Sequence, residues 1–223
     1  MNVTTKFENG TIVSCEQEND GGGSTQYADF INFFKEKGDD LPKYKNCLEW
    51  CAGPGFIGYS LLDEEVCQHV TFMDIHEPAI DDARNNAIFN NLTDRTSFYT
   101  IDAIHKLPTD LKFDLVVGNP PHSLKASEEW LNNKGLFRLI VDLDWKIHEE
   151  FFAHITDYLL PGAEVILSEN DHFPEFIEMA KKVGLIFEGY KPAKILTDQI
   201  YGSNLVVESG PALMTFRFIP KNT

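Results

Sequence analysis

The feature that most constrains the fold is a regular alternation of short apolar runs with longer stretches of helical periodicity. The apolar runs predict strands at residues 46–50, 70–73, 97–101, 113–117 and 164–167. The intervening periodicity predicts helices at about residues 56–62, 78–90, 145–160 and 174–183. Strands that alternate with helices in this way form βαβ units, so we predict an α/β fold in which helices cover both faces of a mostly parallel sheet.

Both ends of the chain depart from this alternation. Residues 185–190 and 213–219 are strand-like with no convincing helix between them, which predicts a long hairpin that adds an antiparallel strand to the sheet. Residues 1–24 are polar, and a helix with an aromatic face is predicted from about Thr25. We therefore divide the chain into an N-terminal lid or helical segment, residues 1–45, and a main domain, residues 46–223.

The glycine-rich stretch 20–24 allows two interpretations. It is either a mobile lid over a pocket or a flexible linker in which Ser24 caps the following helix.

A second glycine-rich segment joins the first predicted strand of the alternation to its helix. Gly53 and Gly55 permit a tight turn and a close approach of a ligand to the backbone, and Gly58 lets the helix pack closely on the sheet. Ordinary strand-to-helix connections show the same pattern, so it does not identify a ligand site by itself.

Acidic residues follow the next two predicted strands. Asp74 can accept hydrogen bonds from two ribose hydroxyls, and Asp102 can accept one from an adenine amino group. Either acid alone would more often be a helix cap or a solvated charge. Acids and an asparagine at successive strand ends favour a common ligand site, because the carboxyl ends of parallel strands meet at one edge of the sheet.

That asparagine opens the sequence Asn119-Pro120-Pro121-His122, which follows the apolar run 113–117. Two consecutive prolines cannot continue a β-ladder, so the strand must end here and present Asn119 at its carboxyl end. The side-chain carbonyl of Asn119 and the backbone carbonyl of Pro120 could accept both hydrogens of a planar NH₂ group. A simple strand-ending turn is the alternative interpretation.

Taken in this order and spacing, these motifs resemble the class I S-adenosylmethionine-dependent methyltransferases. The N-P-P-[aromatic] signature is similar to that of the branch that methylates planar nitrogens, such as glutamine amides and adenine N6. The resemblance covers roughly residues 45–170 and implies a Rossmann-like sheet of seven strands with the last antiparallel. It implies S-adenosylmethionine as the cofactor.

The resemblance also implies roles for individual residues. It places Glu49 near the methionine end of the cofactor, Asp74 on the ribose and Asp102 on the adenine. The implied cofactor-binding residues are Glu49, Cys51, Ala52, Gly53, Gly55, Asp74, Ile75, Asp102, Ala103 and Asn119. The implied catalytic residues are Asn119, Pro120, Pro121 and His122.

Two positions depart from the family pattern. Cys51 replaces the first glycine of the usual G-x-G-x-G, which argues further against a dinucleotide-binding site. His122 replaces the usual larger aromatic ring. His122 is either a smaller stacking ring or a group that takes a proton near neutral pH.

Trp145, His148 and Glu169 are weaker candidates for substrate binding, because specificity in this family often lies after the N-P-P strand. Trp145 is also explained as a core residue, given the apolar residues downstream. His148-Glu149 does not begin an H-E-x-x-H motif and the cysteines form no C-x-x-C pair, so no metal is predicted.

The charge bears on the partner. The chain has 19 Lys and Arg against 35 Asp and Glu, a net charge of −16 that favours a neutral or cationic small molecule, peptide or protein over nucleic acid.

No signal peptide or membrane-spanning run is present, which predicts a cytoplasmic protein without membrane attachment. A nucleobase N-methyltransferase and a non-catalytic cofactor-binding scaffold or activator remain alternative functions, and the oligomeric state is not predicted.

Overall fold

The computed structural model describes residues 1–38, 44–122, 141–169, 173–195 and 212–220. Its strands are β1 Asn2–Lys6, β2 Ile12–Glu16, β3 Tyr44–Trp50, β4 Cys67–Asp74, β5 Thr96–Thr100, β6 Phe113–Gly118, β7 Leu159–Glu169, β8 Leu185–Pro192 and β9 Ala212–Phe218. Its α-helices are α1 Gly23–Lys35, α2 Phe56–Asp63, α3 Glu77–Phe89, α4 Lys146–His154 and α5 Phe173–Lys182.

Strands β3 to β9 form a seven-stranded sheet in the order β5-β4-β3-β6-β7-β9-β8. The pairs β5-β4, β4-β3, β3-β6 and β6-β7 are parallel, whereas β9 runs antiparallel to both β7 and β8. The predicted fold class and the predicted C-terminal hairpin are therefore confirmed. The strand order reverses between β3 and β6, and open α/β sheets bind ligands outside the carboxyl ends of the strands at such a point.

The sheet is buried between two apolar layers. One layer packs α1, α2 and α3 against it, and the other packs α4 and α5 against its opposite face. Helix α2 approaches the sheet so closely that a Cβ added to Gly58 would lie 2.5 Å from the Glu49 carboxylate and 2.7 Å from the Phe72 ring. Glycine is therefore required where α2 crosses β3 and β4.

The sequence analysis missed the β1–β2 hairpin in residues 1–24. The hairpin is held on the main domain by side chains of α2 and α3 and by Asn90, which directly follows α3. Asp63 accepts hydrogen bonds from the Asn9 and Thr11 N–H groups, and the Asn86 and Asn90 amides bond the backbone of β2. The N-terminal segment thus packs on the main domain, and its opening as a lid stays a prediction.

One predicted helix is too long. Helix α4 ends at His154, a 3₁₀ turn covers Ile155–Tyr158, and β7 begins at Leu159 rather than at residue 164. Pro161 cannot continue a helix, and the register of β7 against β6 shifts between Leu159 and Glu164, which accommodates the Pro161-Gly162 step in the strand. In the part of the chain that the structure describes, no helix is long and apolar enough to cross a membrane.

Candidate active site

A cavity of about 330 Å³ lies at the carboxyl ends of β3, β4, β5 and β6. Its walls are formed by Asn19, Gly21, Gly23, Glu49, Trp50, Cys51, Ala52, Gly53, Pro54, Ile57, Met73, Asp74, Ile75, Ile101, Asp102, Asn119, Pro121, Val141 and Ile147. The walls combine apolar side chains with a few convergent polar groups, as is typical of cofactor sites.

The turn after β3 forms the floor of the cavity through three left-handed residues. Cys51, Gly53 and Gly55 have φ angles of 54°, 52° and 88°. A Cβ at Gly55 would lie 2.7 Å from the Phe72 ring, so glycine is needed there. Cys51 adopts the same backbone region with a side chain, at a cost of about 1 kcal/mol, which explains why glycine is usual at this position.

Glu49 is buried beside the cavity, where its Oε2 accepts the Gly58 N–H at 2.7 Å. Burial is the main cause that raises the pKa of Glu49, to about 8. The backbone N–H groups of Gly58 and Ile57 oppose this rise, and the nearby Asp74 carboxylate adds to it. Glu49 is therefore mostly protonated at pH 7.

Asp74 and Asp102 line the cavity at the ends of their strands. Asp74 accepts the Gly53 N–H through Oδ2 and the His76 N–H through Oδ1, both at 2.8 Å. A carboxylate has about four acceptor positions, so Asp74 can accept further hydrogen bonds from a ligand. Asp102 is half-exposed, and its hydrogen bond to Lys106 holds its pKa below the usual value.

Asn119 holds its amide in one orientation. Its Nδ2 donates to the Gly21 carbonyl at 3.1 Å, which leaves Oδ1 as the free acceptor. Oδ1 is buried, and no donor among the described residues reaches it. A buried acceptor without a partner is costly, so this oxygen at the cavity wall marks a place where a ligand N–H would be stabilised.

A buried chain of ionisable groups adjoins this loop. Asp142 Oδ2 lies 2.6 Å from His148 Nδ1, His148 Nε2 lies 3.0 Å from Glu169 Oε1, and Glu169 Oε2 lies 3.5 Å from His122 Nδ1. Asp142 also accepts the backbone N–H groups of Ile147 and His148. The four side chains thus connect the interior of the α4 layer to the last residue of the Asn-Pro-Pro-His sequence.

Both carboxylates favour a charged His148. Burial would lower the pKa of His148, but Glu169 and Asp142 outweigh it and raise that pKa to about 9. Burial likewise opposes ionisation of Glu169, but the charge of His148, its hydrogen bond to Glu169 and the nearby His122 ring hold the pKa of Glu169 below the usual value. The Trp50 and Trp145 rings meet the His148 ring edge-on and Phe176 stacks on it, so water is excluded from the ion pair.

Comparisons with known proteins identify the family. The family model "Methyltransferase small domain" matches residues 30–188. The chain belongs to this methyltransferase family. S-adenosylmethionine is the methyl donor of such enzymes, and the acidic and apolar walls of the cavity fit it.

Individual relatives agree with this assignment. A "Bifunctional methyltransferase" of Rickettsia typhi is 30% identical over 177 residues, which cover 76% of this chain and 33% of that protein. A "Release factor glutamine methyltransferase" of Fusobacterium nucleatum is 36% identical over 171 residues, which cover 74% of this chain and 42% of that protein. The chain therefore spans less than half the length of these two relatives.

The solved structures support the fold. The crystal structure of a ribosomal protein L11 methylase from Lactobacillus delbrueckii matches with a TM-score of 0.57 at 14% identity, over 86% of this chain and 79% of that chain.

The cavity brings together most of the residues that the sequence predicted for the cofactor. Glu49, Cys51, Ala52, Gly53, Asp74, Ile75, Asp102 and Asn119 line it, together with Pro121 from the predicted catalytic set. The other predicted residues, Gly55, Ala103, Pro120, His122, Trp145, His148 and Glu169, are not part of its walls. The binding roles of all these residues stay predictions.

Trp145 and His148 lie in the core rather than beside the cavity. Trp145 packs on Phe176, in agreement with the core interpretation. His148 is fully buried with both ring nitrogens engaged, so it offers no atom to a substrate in this conformation. In this conformation His148 belongs to the buried chain of groups, and its predicted contact with substrate stays a prediction.

Sequence reasoning missed the contribution of the N-terminal segment to the methyltransferase cavity. Asn19, Gly21 and Gly23 form part of the wall. Asn19 is anchored by Asp82 at 2.8 Å and by His76 at 3.0 Å. Helix α1 begins at Gly23, so Ser24 lies inside the helix rather than capping it. The signal in the sequence was the glycine-rich stretch 20–24, whose composition does not show which wall it joins.

A separate cluster lies outside the cavity walls. The ligand atoms of His105, Glu150 and His154 lie within 4.8 Å of one another, an arrangement that could hold a cation. The Glu150 carboxylate also accepts the Ile104 N–H at 3.0 Å and so stabilises the 3₁₀ turn after β5. The prediction that the protein uses no metal is not tested by this geometry.

Proposed function

We propose that this methyltransferase transfers a methyl group to the side-chain amide nitrogen of a glutamine residue in a protein. The observation that carries the proposal is the buried, unpartnered Asn119 Oδ1 at the cavity wall, with its Nδ2 occupied by Gly21. An amide NH₂ donates two hydrogen bonds and is planar, so it suits an acceptor of this kind.

The cofactor would be held by the acidic residues at the strand ends. In this proposal Asp74 accepts hydrogen bonds from the ribose, Asp102 accepts one from the adenine, and Glu49 lies towards the methionine end. When bound, S-adenosylmethionine supplies an activated methyl group, so the protein contributes mainly orientation and exclusion of water.

The acceptor nitrogen would be held by the Asn119 side-chain carbonyl and the Pro120 backbone carbonyl. The lone pair of an amide nitrogen is delocalised, so the nitrogen is a poor nucleophile. Hydrogen bonds to both of its hydrogens would fix the nitrogen and favour the pyramidal geometry that methyl transfer requires. Removal of either acceptor weakens this control of geometry.

Two further observations support a protein amide as the substrate. The Fusobacterium relative is named for release factor glutamine methylation. The net charge of −16 repels phosphate backbones and does not oppose a neutral amide. These observations favour a peptide or protein over nucleic acid.

A methyl-transfer assay tests the proposal. The protein is incubated with radiolabelled S-adenosylmethionine and, in parallel, with total soluble protein, RNA, DNA and small molecules from one cell extract. We expect label in protein, and acid hydrolysis of that protein should release labelled methylamine, the product of an N-methylated amide. Label found mainly in RNA or DNA, and lost steeply with added salt, would instead indicate a nucleobase methyltransferase.

Cofactor binding is expected to release protons through Glu49. This carboxyl has a pKa of about 8 in the free protein, and the ammonium of the methionine moiety would favour its ionised form. Titration calorimetry at pH 7 in two buffers with different ionisation enthalpies should therefore show net proton release on binding. The variant Glu49→Gln keeps an acceptor for the Gly58 N–H but has no proton to lose, so its binding heat should not depend on the buffer. Equal heats in both buffers for the unmodified protein would contradict the assignment of Glu49.

A further inference from the structure

We propose that His122 accepts the proton that the acceptor nitrogen loses on methylation, and that Glu169 positions His122 for this role. The inference rests on the proposed N-methylation and deepens it, because it assigns the proton step of that reaction. His122 would be the catalytic base. Glu169 would act through His122 and is therefore a positioning residue.

The geometry begins with two buried atoms that face each other. Nδ1 of His122 and Oε2 of Glu169 are both buried, lie 3.5 Å apart, and have no hydrogen-bond partner among the described residues. Catalytic hydrogen bonds are often long in a free enzyme and shorten when substrate binds. An N–H on Nδ1 that points at this carboxylate would satisfy both atoms.

This arrangement fixes the tautomer of neutral His122. If Nδ1 carries the proton, Nε2 on the other side of the ring keeps its lone pair and can accept a proton. The His122 side chain is 18% exposed although its Nδ1 is buried, and it directly follows Pro121, which is part of the cavity wall. Two residues separate His122 from Asn119, the proposed holder of the acceptor nitrogen.

The buried groups linked to Glu169 set the electrostatic environment of His122. The carboxylates of Asp142 and Glu169 contact the two ring nitrogens of His148 and raise its pKa to about 9. Among the described residues, these are the ionisable groups that the hydrogen-bonded chain brings to His122: Glu169 from β7, His148 from α4, and Asp142 in front of α4. A proton accepted by His122 would therefore place a positive charge next to the Glu169 carboxylate.

Transfer of this proton completes the reaction, and no further reagent is needed. A bond forms between the acceptor nitrogen and the methyl carbon, using the nitrogen lone pair. The carbon–sulfur bond of the donor breaks, and its electron pair stays on sulfur. One of the two hydrogens held by Asn119 and Pro120 would then pass as a proton to His122 Nε2, and the electron pair of its N–H bond would stay on nitrogen. His122 releases the proton to solvent after the product leaves.

The tautomer can be measured without any substrate. Nitrogen-15 NMR of the histidine rings, with His122 assigned from the signals lost in His122→Phe, should show the neutral ring protonated on Nδ1. In Glu169→Gln this preference should weaken, because a neutral amide oxygen accepts the Nδ1–H hydrogen bond less strongly than a carboxylate does. A neutral His122 protonated on Nε2 in the unmodified protein would overturn the proposal.

Kinetics then separate a base from a stacking ring. His122→Phe keeps a planar ring and removes the base, so kcat should fall roughly 10²-fold or more with little change in KM. A reaction that needs a deprotonated base becomes faster as the pH rises, and His122→Phe should lose this rise. Glu169→Gln should lower kcat with little change in KM and alter the pH profile.

A matched control lies on the same strand. Glu164 is also a buried carboxylate of β7, but it pairs with Lys37, Tyr44 and Arg217. Glu164→Gln should leave the pH profile unchanged.

A His122→Phe variant with the kcat and pH profile of the unmodified protein would show that His122 only stacks, and would leave N-methylation itself intact. A protein that methylates no amide would refute the proposed function, while the NMR tautomer would still decide the role of Glu169.

Discussion

The Asn119→Ala variant is expected to lose roughly 10²–10³-fold in kcat while it binds the cofactor almost as well as the unmodified protein. This range is typical for the removal of one well-placed polar group at a reacting centre. Asn119 supplies a buried oxygen that no described residue occupies, and we assign that oxygen to the acceptor nitrogen rather than to the cofactor. Single-turnover rates with labelled S-adenosylmethionine would measure the effect, and calorimetry would measure cofactor affinity.

Two controls separate a chemical role of Asn119 from a structural one. The substitution also removes the 3.1 Å hydrogen bond from Asn119 to Gly21, so a loosened N-terminal wall should appear as weaker cofactor binding rather than as a slower chemical step. Asn46→Ala changes an exposed asparagine near the start of β3 and should leave both quantities unchanged. An Asn119→Ala variant that retains full kcat would refute the proposed holding of the acceptor nitrogen.

Local sequence rules predicted the position of Asn119 because the relevant constraint is local. Pro120 and Pro121 cannot continue the ladder of β6, and β6 does end at Gly118. The same reasoning placed Asp74 at the end of β4 and Asp102 just after β5. Because parallel strands share one carboxyl edge, the order of these residues along the sequence was sufficient to predict a common cavity.

The N-terminal hairpin could not be predicted in this way. Its two strands are short and partly polar, and they are stabilised by Asp63, Asn86 and Asn90, which lie 52–78 positions away in the sequence. A polar segment of this composition resembles a linker until the partners of its backbone groups are known. The contribution of Gly21 to the cavity wall depends on the same long-range contacts.

The buried chain of ionisable groups likewise could not be predicted, because it depends on contacts between residues far apart in the sequence. The sequence indicated His148 and Glu169 as candidates, yet their contact depends on the pairing of α4 with the carboxyl end of β7. Asp142 was not predicted at all, because nothing in its local sequence distinguishes it from the exposed Asp144 two residues later. Burial separates them, and burial is a property of the packed structure.

That difference between Asp142 and Asp144 allows a matched test of the buried ion pair. Asp142→Asn should lower the free energy of unfolding at pH 7 by about 3–5 kcal/mol, the usual cost of removing one partner of a buried pair. Asp142 is fully buried and holds the ring and backbone of His148. Asp144→Asn removes the same charge from an exposed position, and asparagine tolerates its left-handed backbone with φ of 55°. This control should unfold like the unmodified protein.

The difference in unfolding free energy between the unmodified protein and Asp142→Asn should depend on pH in a defined direction. The pKa of His148 is raised to about 9 in the folded protein from its ordinary 6.5, so its charged form adds stability that is complete below about pH 6.5 and is lost as the pH rises through 9. The stability gap between the unmodified protein and Asp142→Asn should therefore be largest near pH 6 and shrink towards pH 9, whereas any contribution of Glu49 cancels in the comparison. Urea titrations from pH 6 to 9 would measure it. A gap that stays constant over this range would show that Asp142 stabilises the fold through its backbone contacts and not through a charged His148.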